Sequence, residues 1–432
     1  MRKAFVRMAT VLMAGLLPFS AFQKTLRAES DNSGKAIRSG TAHIAGAMES
    51  NIYFGNYWQS VKSEDATDSN KEPVKWRVLA NGGNLFVVSD KNLDCVEYNS
   101  SAETVTWEEC TLRKWLNSKF LDKAFSTQEQ GAVLESLVVN EDGAKGSEAG
   151  PDTYDKVYLL SIYEVIDPDL GFPTDWKDKG GTRVALNTEY TKSKRAMTNT
   201  DMSGAWWLRT PGDAKNAANV FNAGNVFVRG GNVNNFIFAV RPAMNIDASK
   251  VLFTSPAEGG KISGVPGADA MKEVGSYTGS DWKLTIKDDT RPVFEASVSG
   301  SKTILKDGAV KLKYKGASTG ENEYISAIIE DTEGNILYYG NIAGNAADGA
   351  NSGKAALNVP AELMPGTYKI LVFSEQCNGD FETDLASNIV TLDITISKYK
   401  TADRNLLIGI SAAIVAAACV VVVVAVRKKK HA

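Results

Sequence analysis

The first folded stretch of the chain carries the apolar patterns of β-strands. Residues 74–78 alternate between apolar and polar side chains, residues 85–88 form a continuous apolar run, and residues 52–57 are rich in aromatic residues. Alternation is typical of a half-buried strand, and a short apolar run is typical of a fully buried one. The Gly-rich turn at 81–84 separates two of these runs, so the sequence predicts a β-hairpin there.

Helical signals follow this hairpin, because three segments place a Glu three residues after a Ser or Thr. These capping boxes, in which side chains satisfy free N–H groups of the first helical turn, begin at Thr106, Ser126 and Ser161. Apolar residues then recur at helical spacing after the first box. They are Leu112, Trp115, Leu116 and Phe120. We expect two helices within a domain that is otherwise strand and loop.

The pattern changes near residue 251. Six or seven stretches between 282 and 396 are strand-like and separated by turns, without a helical stripe. Short strands at regular intervals are typical of an immunoglobulin-like β-sandwich. We therefore expect one domain over 48–248 and a separate all-β stalk domain over 251–398.

Both ends of the chain carry apolar segments next to basic residues. Residues 1–28 have the basic start and short apolar stretch of a secretory signal peptide, and the polar residues 29–47 are expected to form a flexible leader. After a linker at 399–405, the uncharged residues 406–426 are long enough for a transmembrane helix in the lipid bilayer. The basic tail 427–432 then predicts a cytoplasmic C-terminus, with both domains outside a bacterial cell membrane.

Charge and histidine content limit the chemistry. The chain has 48 Lys and Arg against 51 Asp and Glu, a net charge of −3 that does not suggest a nucleic-acid partner. Its two histidines are His43, in the expected leader, and His431, in the tail. Neither expected domain then holds an imidazole, which excludes Ser–His–Asp and Cys–His catalysis and histidine-ligated metal sites. No Cys-x-x-Cys spacing occurs either, so we expect no metal and no cofactor.

Three cysteines lie in the part expected outside the cell, namely Cys95, Cys110 and Cys377. A disulfide between Cys95 and Cys110 would close a loop of about 16 residues and could contribute roughly 3 kcal/mol. Buried, reduced thiols are an equally weighted alternative.

Three separated motifs carry a resemblance to a known family. Residues 107–117 read W-E-E-C-T-L-R-K-W-L-N, residues 206–212 read W-W-L-R-T-P-G, and residues 239–243 read A-V-R-P-A. In this order they resemble a domain family of unknown function that is common on Gram-positive surface proteins. That family is similar, more distantly, to the formylglycine-generating-enzyme branch of the C-type-lectin-like fold. The resemblance implies an α+β domain with two helices and a small twisted sheet, but not the oxidase activity, because the late cysteine pair of the oxidase is missing.

Candidate ligand contacts come from these motifs and from the Asn-rich turns between them. An exposed Trp could stack on a sugar ring, although neighbouring strand side chains point to opposite faces and one of the two would be core. The Arg side chains could hold an anion or form buried ion pairs, and the Asn side chains could bind a ligand or serve turn chemistry. The candidates are Trp206, Trp207, Arg209, Asn225, Asn232 and Arg241.

The sequence leaves three functional hypotheses open. The first is a membrane-anchored bacterial cell-surface protein whose domain over 48–248 binds a glycan or protein ligand, with 251–398 as its stalk. The second is a surface enzyme that processes glycans with paired carboxylates, which need a cleft and a set separation. The third is a purely structural envelope protein. The missing catalytic apparatus favours binding over catalysis.

Overall fold

The computed structural model describes residues 34–346 and 350–398. Strands account for 40% of the protein and helices for 11%. Among the described residues, only one continuous helical segment has seven or more residues. No helix in this part of the chain is long and apolar enough to cross a bilayer. The predicted α+β, C-type-lectin-like domain is therefore wrong, because the structure is rich in strands and poor in helices.

Several predicted segments lie outside the described residues. They are the signal peptide 1–28, the linker 399–405, the transmembrane helix 406–426 and the basic tail 427–432.

The helices are short. They are α1 (Thr111–Trp115), a π-helical turn (Leu116–Phe120), α2 (Leu121–Ala124), α3 (Thr127–Gln130) and α4 (Glu189–Ser193). Single 3-10 turns lie at Ser63–Asp65, Asp68–Asn70, Glu164–Ile166, Pro168–Leu170, Gly181–Arg183 and Ala248–Lys250.

The strands up to residue 246 build the first part of the molecule. They are β1 (Arg38–Ser39), β2 (Asn51–Tyr57), β3 (Glu72–Asn81), β4 (Leu85–Ser89), β5 (Asp94–Cys95), β6 (Ser136–Val138), β7 (Thr153–Asp155), β8 (Val157–Tyr158), β9 (Ala185–Leu186), β10 (Ser203–Gly204), β11 (Trp206–Pro211), β12 (Asn216–Val220), β13 (Val226–Asn232), β14 (Ala239–Val240) and β15 (Ala243–Ile246).

The remaining strands build the second part. They are β16 (Val251–Pro256), β17 (Lys272–Glu273), β18 (Asp281–Lys287), β19 (Glu295–Val298), β20 (Thr303–Leu305), β21 (Ala309–Lys315), β22 (Glu323–Glu330), β23 (Ile336–Gly344), β24 (Ser352–Asn358), β25 (Gly366–Gln376), β26 (Asp384–Ala386) and β27 (Val390–Ser397).

Two sheets organise the first part. Strands β2, β3, β4, β15 and β8 are neighbours in one sheet, and the predicted hairpin is present in it as β3 and β4. The other sheet has the order β13–β12–β11–β14–β5, which places the W-W-L-R-T-P-G strand β11 in its centre. One continuous apolar core contains large side chains from both sheets. A central strand has neighbours on both edges, which explains the complete burial of β11.

The capping boxes are followed by less helical structure than the sequence predicts. Thr106 precedes a turn over 107–109, and α1 is instead capped by Cys110, whose Sγ accepts a hydrogen bond from the Arg113 N–H at 3.4 Å. The Ser126 box forms both of its hydrogen bonds, but α3 ends after one turn at Gly131. The Ser161 box leads to a single 3-10 turn, because Pro168 follows at once and cannot continue a helix.

The two expected domains are not separate, because strand β18 belongs to both. Along one edge, its first half pairs in parallel with β2 and its second half pairs in parallel with β26. Its other edge pairs with β16. Fifteen of the described strands thus form one sheet that runs through both parts. The predicted independent immunoglobulin-like stalk is therefore incorrect, since β18 joins 251–398 to the first sheet.

The described part of the expected flexible leader is packed against the fold. Strand β1 pairs with β16, and Ile37 and Ile44 are each 2% exposed. His43 places its Nε2 2.9 Å from the Thr254 Oγ1, and its ring meets the edge of Trp282 at 4.8 Å. Since Ile44 belongs to the first core and β1 pairs with β16, residues 34–47 are anchored to both parts, and the prediction of a free segment is wrong there.

A chain that ends at residue 248 should be much less stable than a chain over 34–398. It loses the strand that pairs with β2, and with it the buried Trp282, Leu284 and Ile286 of the first core. Each such side chain contributes about 1.5–3 kcal/mol when buried. Thermal unfolding of chains over 34–248, 34–290 and 34–398 measures this, and we expect the second to recover part of the loss. Equal unfolding midpoints for the shortest and longest chains would contradict a shared core.

His43 should make the folded protein sensitive to mild acid. Burial, aided by Arg38, lowers the pKa of His43 to about 4, so the fold favours the neutral ring. Its contribution is therefore complete above pH 6.5 and is lost as the pH falls towards 4. The free energy of unfolding should drop by about 2 kcal/mol more between neutral pH and pH 5 than in His43→Gln. Denaturant titrations of both proteins at each pH measure this free energy. The same pH dependence of the free energy of unfolding in both proteins would refute the prediction.

Candidate functional site

The two tryptophans proposed as sugar contacts are core residues. Trp206 and Trp207 are both fully buried, and their indole N–H groups donate to the main-chain carbonyls of Arg183 and Val96, each at 3.1 Å. The expectation that one of the two would be free for a ligand is therefore not met. Strand β11 has covered faces on both sides, so alternation along it does not bring a side chain to the surface.

The two arginines proposed as anion contacts are also internal. Arg209 forms a forked contact with the Glu164 carboxylate and donates to the Leu159 carbonyl at 2.9 Å. Arg241 donates to the Ser89 carbonyl at 2.9 Å, and its guanidinium lies 5.0 Å from the Trp206 ring. Burial lowers the pKa of Arg241 to about 9. The alternative of buried structural arginines is thus the one that the structure shows.

The two candidate asparagines lie on the outer hairpin of β12 and β13 and serve its turns. The Asn225 carbonyl accepts from the Phe221 N–H at 2.9 Å, and the Asn232 Oδ1 accepts from the Asn234 N–H at 3.3 Å. Asn232 is exposed and Asn225 is half-buried. Neither is brought together with the tryptophans and arginines to form a site.

The predicted disulfide is absent, and Cys95 and Cys110 are separate buried thiols. The Cys95 Sγ lies 2.9 Å from the Phe236 carbonyl, whereas the Cys110 Sγ caps α1. Burial raises the pKa of both thiols to about 12, so neither is a reactive thiolate at neutral pH.

The motif over 107–117 also has a structural role, because three of its side chains converge on one buried carboxylate. The Trp107 indole donates to Asp155 at 3.0 Å, Arg113 Nε donates at 2.6 Å and Asn117 Nδ2 donates at 3.2 Å. A surface cleft of about 410 Å³ lies beside them. Its lining residues are Arg113, Lys114, Asn117, Leu121, Glu135, Tyr154, Asp155 and Lys156.

Sequence reasoning missed Arg183, the most completely bonded of the buried arginines. Its guanidinium donates five hydrogen bonds, all to main-chain carbonyls, at 2.7–3.2 Å. The acceptors are Val165, Pro173, Asp175, Asp178 and Gly224. A guanidinium has five N–H donors, so Arg183 is saturated and holds together loops that have almost no regular structure. No local pattern around residue 183 signals this role.

Residues from both parts line a second cleft of about 310 Å³, which we call the junction cleft. The lining residues are Tyr53, Gln59, Glu72, Pro73, Val74, Lys75, Asp90, Lys91, Leu93 and Phe381. All but the last come from the first part. Phe381 is supplied by the loop between β25 and β26, so one wall of the cleft comes from the second part.

Phe381 is held in an unusual conformation beside Tyr53. Its φ of +63° lies in the left-handed region, where a bulky residue is strained. Its ring centroid is 4.8 Å from that of Tyr53. Neighbouring residues fasten the loop, since Glu382 accepts from Asn56 at 2.8 Å and Thr383 donates to Glu129 at 2.8 Å. The aromatic pair is therefore fixed in the wall of the cleft.

Polar groups of both signs surround this pair. Lys75 Nζ lies 2.8 Å from the Asp281 carboxylate, and Arg77 Nε lies 2.5 Å from that of Asp90. Burial and the nearby Asp281 raise the pKa of Tyr53 to about 12, so its hydroxyl stays protonated. Lys91 is exposed at the rim. The cleft thus combines aromatic faces with hydrogen-bonding groups.

The described residues contain no cluster of side chains that could bind a metal ion. Within 34–346 and 350–398, no three His, Cys, Asp or Glu side chains are close enough together to hold a metal ion.

Replacing Arg183 should cost far more stability than replacing an exposed arginine. Arg183→Met leaves five buried carbonyls without their donor, and breaking a buried charged network of this kind costs about 3–5 kcal/mol. Arg229→Met is the matched control, because Arg229 forms only an exposed ion pair with Asp213, for which about 0–1 kcal/mol is expected. Urea unfolding of both variants compares them. A similar, small loss in both would show that Arg183 does not hold the loops.

The comparison with known proteins identifies a family but no activity. Residues 82–248 match the family described as "Domain of unknown function (DUF6273)". No curated protein matches the chain. The matched segment contains all three sequence motifs and contributes Asp90, Lys91 and Leu93 to the junction cleft. The chain thus contains a DUF6273 domain over residues 82–248.

Proposed function

We propose that this protein is a binding module and that the junction cleft holds a polar, ring-containing ligand such as a glycan. The observation that carries the proposal is the aromatic pair of Tyr53 and Phe381, which lies among charged and amide side chains. Aromatic faces suit the apolar faces of sugar rings, and a few placed polar groups fix the orientation of a ligand. Binding sites also lie preferentially where two structural units meet.

The strain at Phe381 supports this assignment. A left-handed conformation costs a non-glycine residue about 1–2 kcal/mol, and glycine would avoid this cost. A bulky aromatic residue at such a position is more easily understood if its ring contacts a ligand. Strained residues of this kind cluster at ligand-binding sites.

The proposed setting is the outside of a bacterial cell. The basic start and apolar stretch of residues 1–28 support export. Envelope glycans would then be within reach of the cleft. Protease treatment of intact cells should degrade the protein, and complete protection in intact cells would contradict this location.

A glycan-processing enzyme is the second candidate, because two carboxylates, Glu72 and Asp90, line the junction cleft. Both already have partners. Glu72 accepts from the Ser60 N–H at 2.9 Å, and Asp90 is held by Arg77. Binding without turnover is therefore the first choice, and product formation from a bound glycan would favour the enzyme instead.

Removing the Phe381 ring should weaken binding without unfolding the protein. A glycan array would identify the ligand, and calorimetry would then compare the wild type with Phe381→Gly. Glycine fits the positive φ, so stability should change by no more than about 1 kcal/mol. The dissociation constant should rise at least about tenfold, the equivalent of about 1.4 kcal/mol.

Phe236→Ala is the matched control, because Phe236 is exposed but lies outside the cleft. It should bind as the wild type does. Equal affinity of Phe381→Gly and the wild type would contradict the proposed site, and the absence of any saturable glycan binding would contradict the proposed ligand class.

A further inference from the structure

A charged cluster lies buried beneath the loop that carries Phe381. It consists of Lys261, Lys283, Glu375 and Asp384, whose side chains are at most 3% exposed. Lys283 belongs to β18, Glu375 to β25 and Asp384 to β26, whereas Lys261 lies in the loop between β16 and β17. Interior charges are costly to desolvate, so a group of four calls for a specific explanation.

The two oxygens of Asp384 have different neighbours. Oδ2 is in contact with the Lys261 Nζ, which is also 3.0 Å from the Glu375 Oε1. Oδ1 accepts a hydrogen bond from the Lys283 Nζ at 2.9 Å and another from the Asn378 N–H at 2.8 Å. One side of the carboxyl group thus faces an amine with a second carboxylate beside it, and the other side faces two hydrogen-bond donors.

This arrangement matches the requirements of acyl transfer to an amine. A nucleophile needs a base within hydrogen-bond reach, which Glu375 provides for Lys261. The oxygen that gains negative charge needs fixed donors, which Lys283 and the Asn378 N–H provide at Oδ1. No bound cofactor or second substrate is required.

We propose that Lys261 and Asp384 condense to an intramolecular amide. One ammonium proton of Lys261 passes to Oδ2 across their contact, and the neutral Nζ then attacks Cγ. Glu375 takes a second proton from the nitrogen and returns it to Oδ2, which leaves as water while Oδ1 reforms the carbonyl. The third hydrogen stays on the amide nitrogen, so ammonium and carboxylate give an amide and one water molecule.

Lys261 is the nucleophile, and Lys283 is not. Lys261 contacts two carboxylates, so a proton acceptor remains when one of them reacts. Lys283 is bound to the Gly379 carbonyl and to Oδ1, where it stabilises the developing charge. The attraction between the Lys261 ammonium and the Asp384 carboxylate raises the pKa of Lys261 and lowers that of Asp384. The neutral amine is therefore rare, and the single turnover is slow.

The bond would fasten two segments of the second part to each other, next to the strand that joins it to the first part. It ties the loop before β17 to the start of β26, directly after the segment that supplies Phe381 to the junction cleft. After the reaction, Lys283 and Glu375 remain as one positive and one negative charge, so the interior stays neutral with half of its original charges. This inference is independent of what the cleft binds.

Peptide mapping of the folded full-length protein, stored and then denatured, tests the proposal. We expect the peptides that contain Lys261 and Asp384 to be joined, with a mass one water below their sum and no tryptic cleavage after Lys261. Lys261→Arg should abolish the link. Glu375→Gln, which keeps the size of the side chain but cannot take the proton, should lower the linked fraction more than tenfold. Circular dichroism verifies that each variant is folded.

Lys287→Arg is the matched control, since Lys287 lies on β18 with its side chain 40% exposed, and it should link as the wild type does. Unlinked peptides in the stored wild type would overturn the proposal, whether or not any variant folds. A link to Lys283 would overturn the assignment of the nucleophile, and undiminished linking in folded Glu375→Gln would overturn the role of Glu375.

Discussion

The structure depends on the pairing of strand β18 with two different strands along one edge. Its first half extends the sheet of the first part through β2, and its second half meets β26 of the second part. Its apolar residues Trp282, Leu284 and Ile286 enter the first core. Its intervening residue Lys283 faces the buried charges of the second part. A strand with partners of both kinds cannot leave one part without disrupting the other.

The residues of the DUF6273 sequence motifs have structural roles in this protein. Trp107, Arg113 and Asn117 converge on Asp155, and Arg209 and Arg241 donate to buried carbonyls and, for Arg209, to one carboxylate. Loops with little regular structure have main-chain groups that need partners, and buried guanidinium groups satisfy several at once. The proposed ligand site lies mainly outside these motifs, where side chains can vary without loss of the framework.

Local patterns predicted the parts of the fold that local forces determine. The β3–β4 hairpin follows from its apolar runs and Gly-rich turn, and the Ser126 capping box forms as expected. The predicted strands at 52–57 and between 282 and 396 are also present, whereas tertiary packing overrode several other predictions. Trp206 and Trp207 are both internal because β11 is a central strand, and Ile37 is buried although it lies in the segment expected to be a flexible leader.

The junction cleft and the charged cluster could not be predicted for a related reason. Tyr53 and Phe381 are distant in the chain, and the pairing of β18 with both β2 and β26 brings Tyr53 close to the loop that carries Phe381. The alternation of residues 281–287 predicts a half-buried strand, but both faces are covered, one by apolar residues and the other by paired charges. Sequence periodicity reports which residues share a face and does not report what covers that face.

The central claim is that the two parts form one cooperative unit, and differential scanning calorimetry of residues 34–398 tests it most directly. We expect a single transition in which the calorimetric and van't Hoff enthalpies agree, because neither core can lose β18 alone. Two separate transitions, each with its own enthalpy, would contradict it and restore two independent domains.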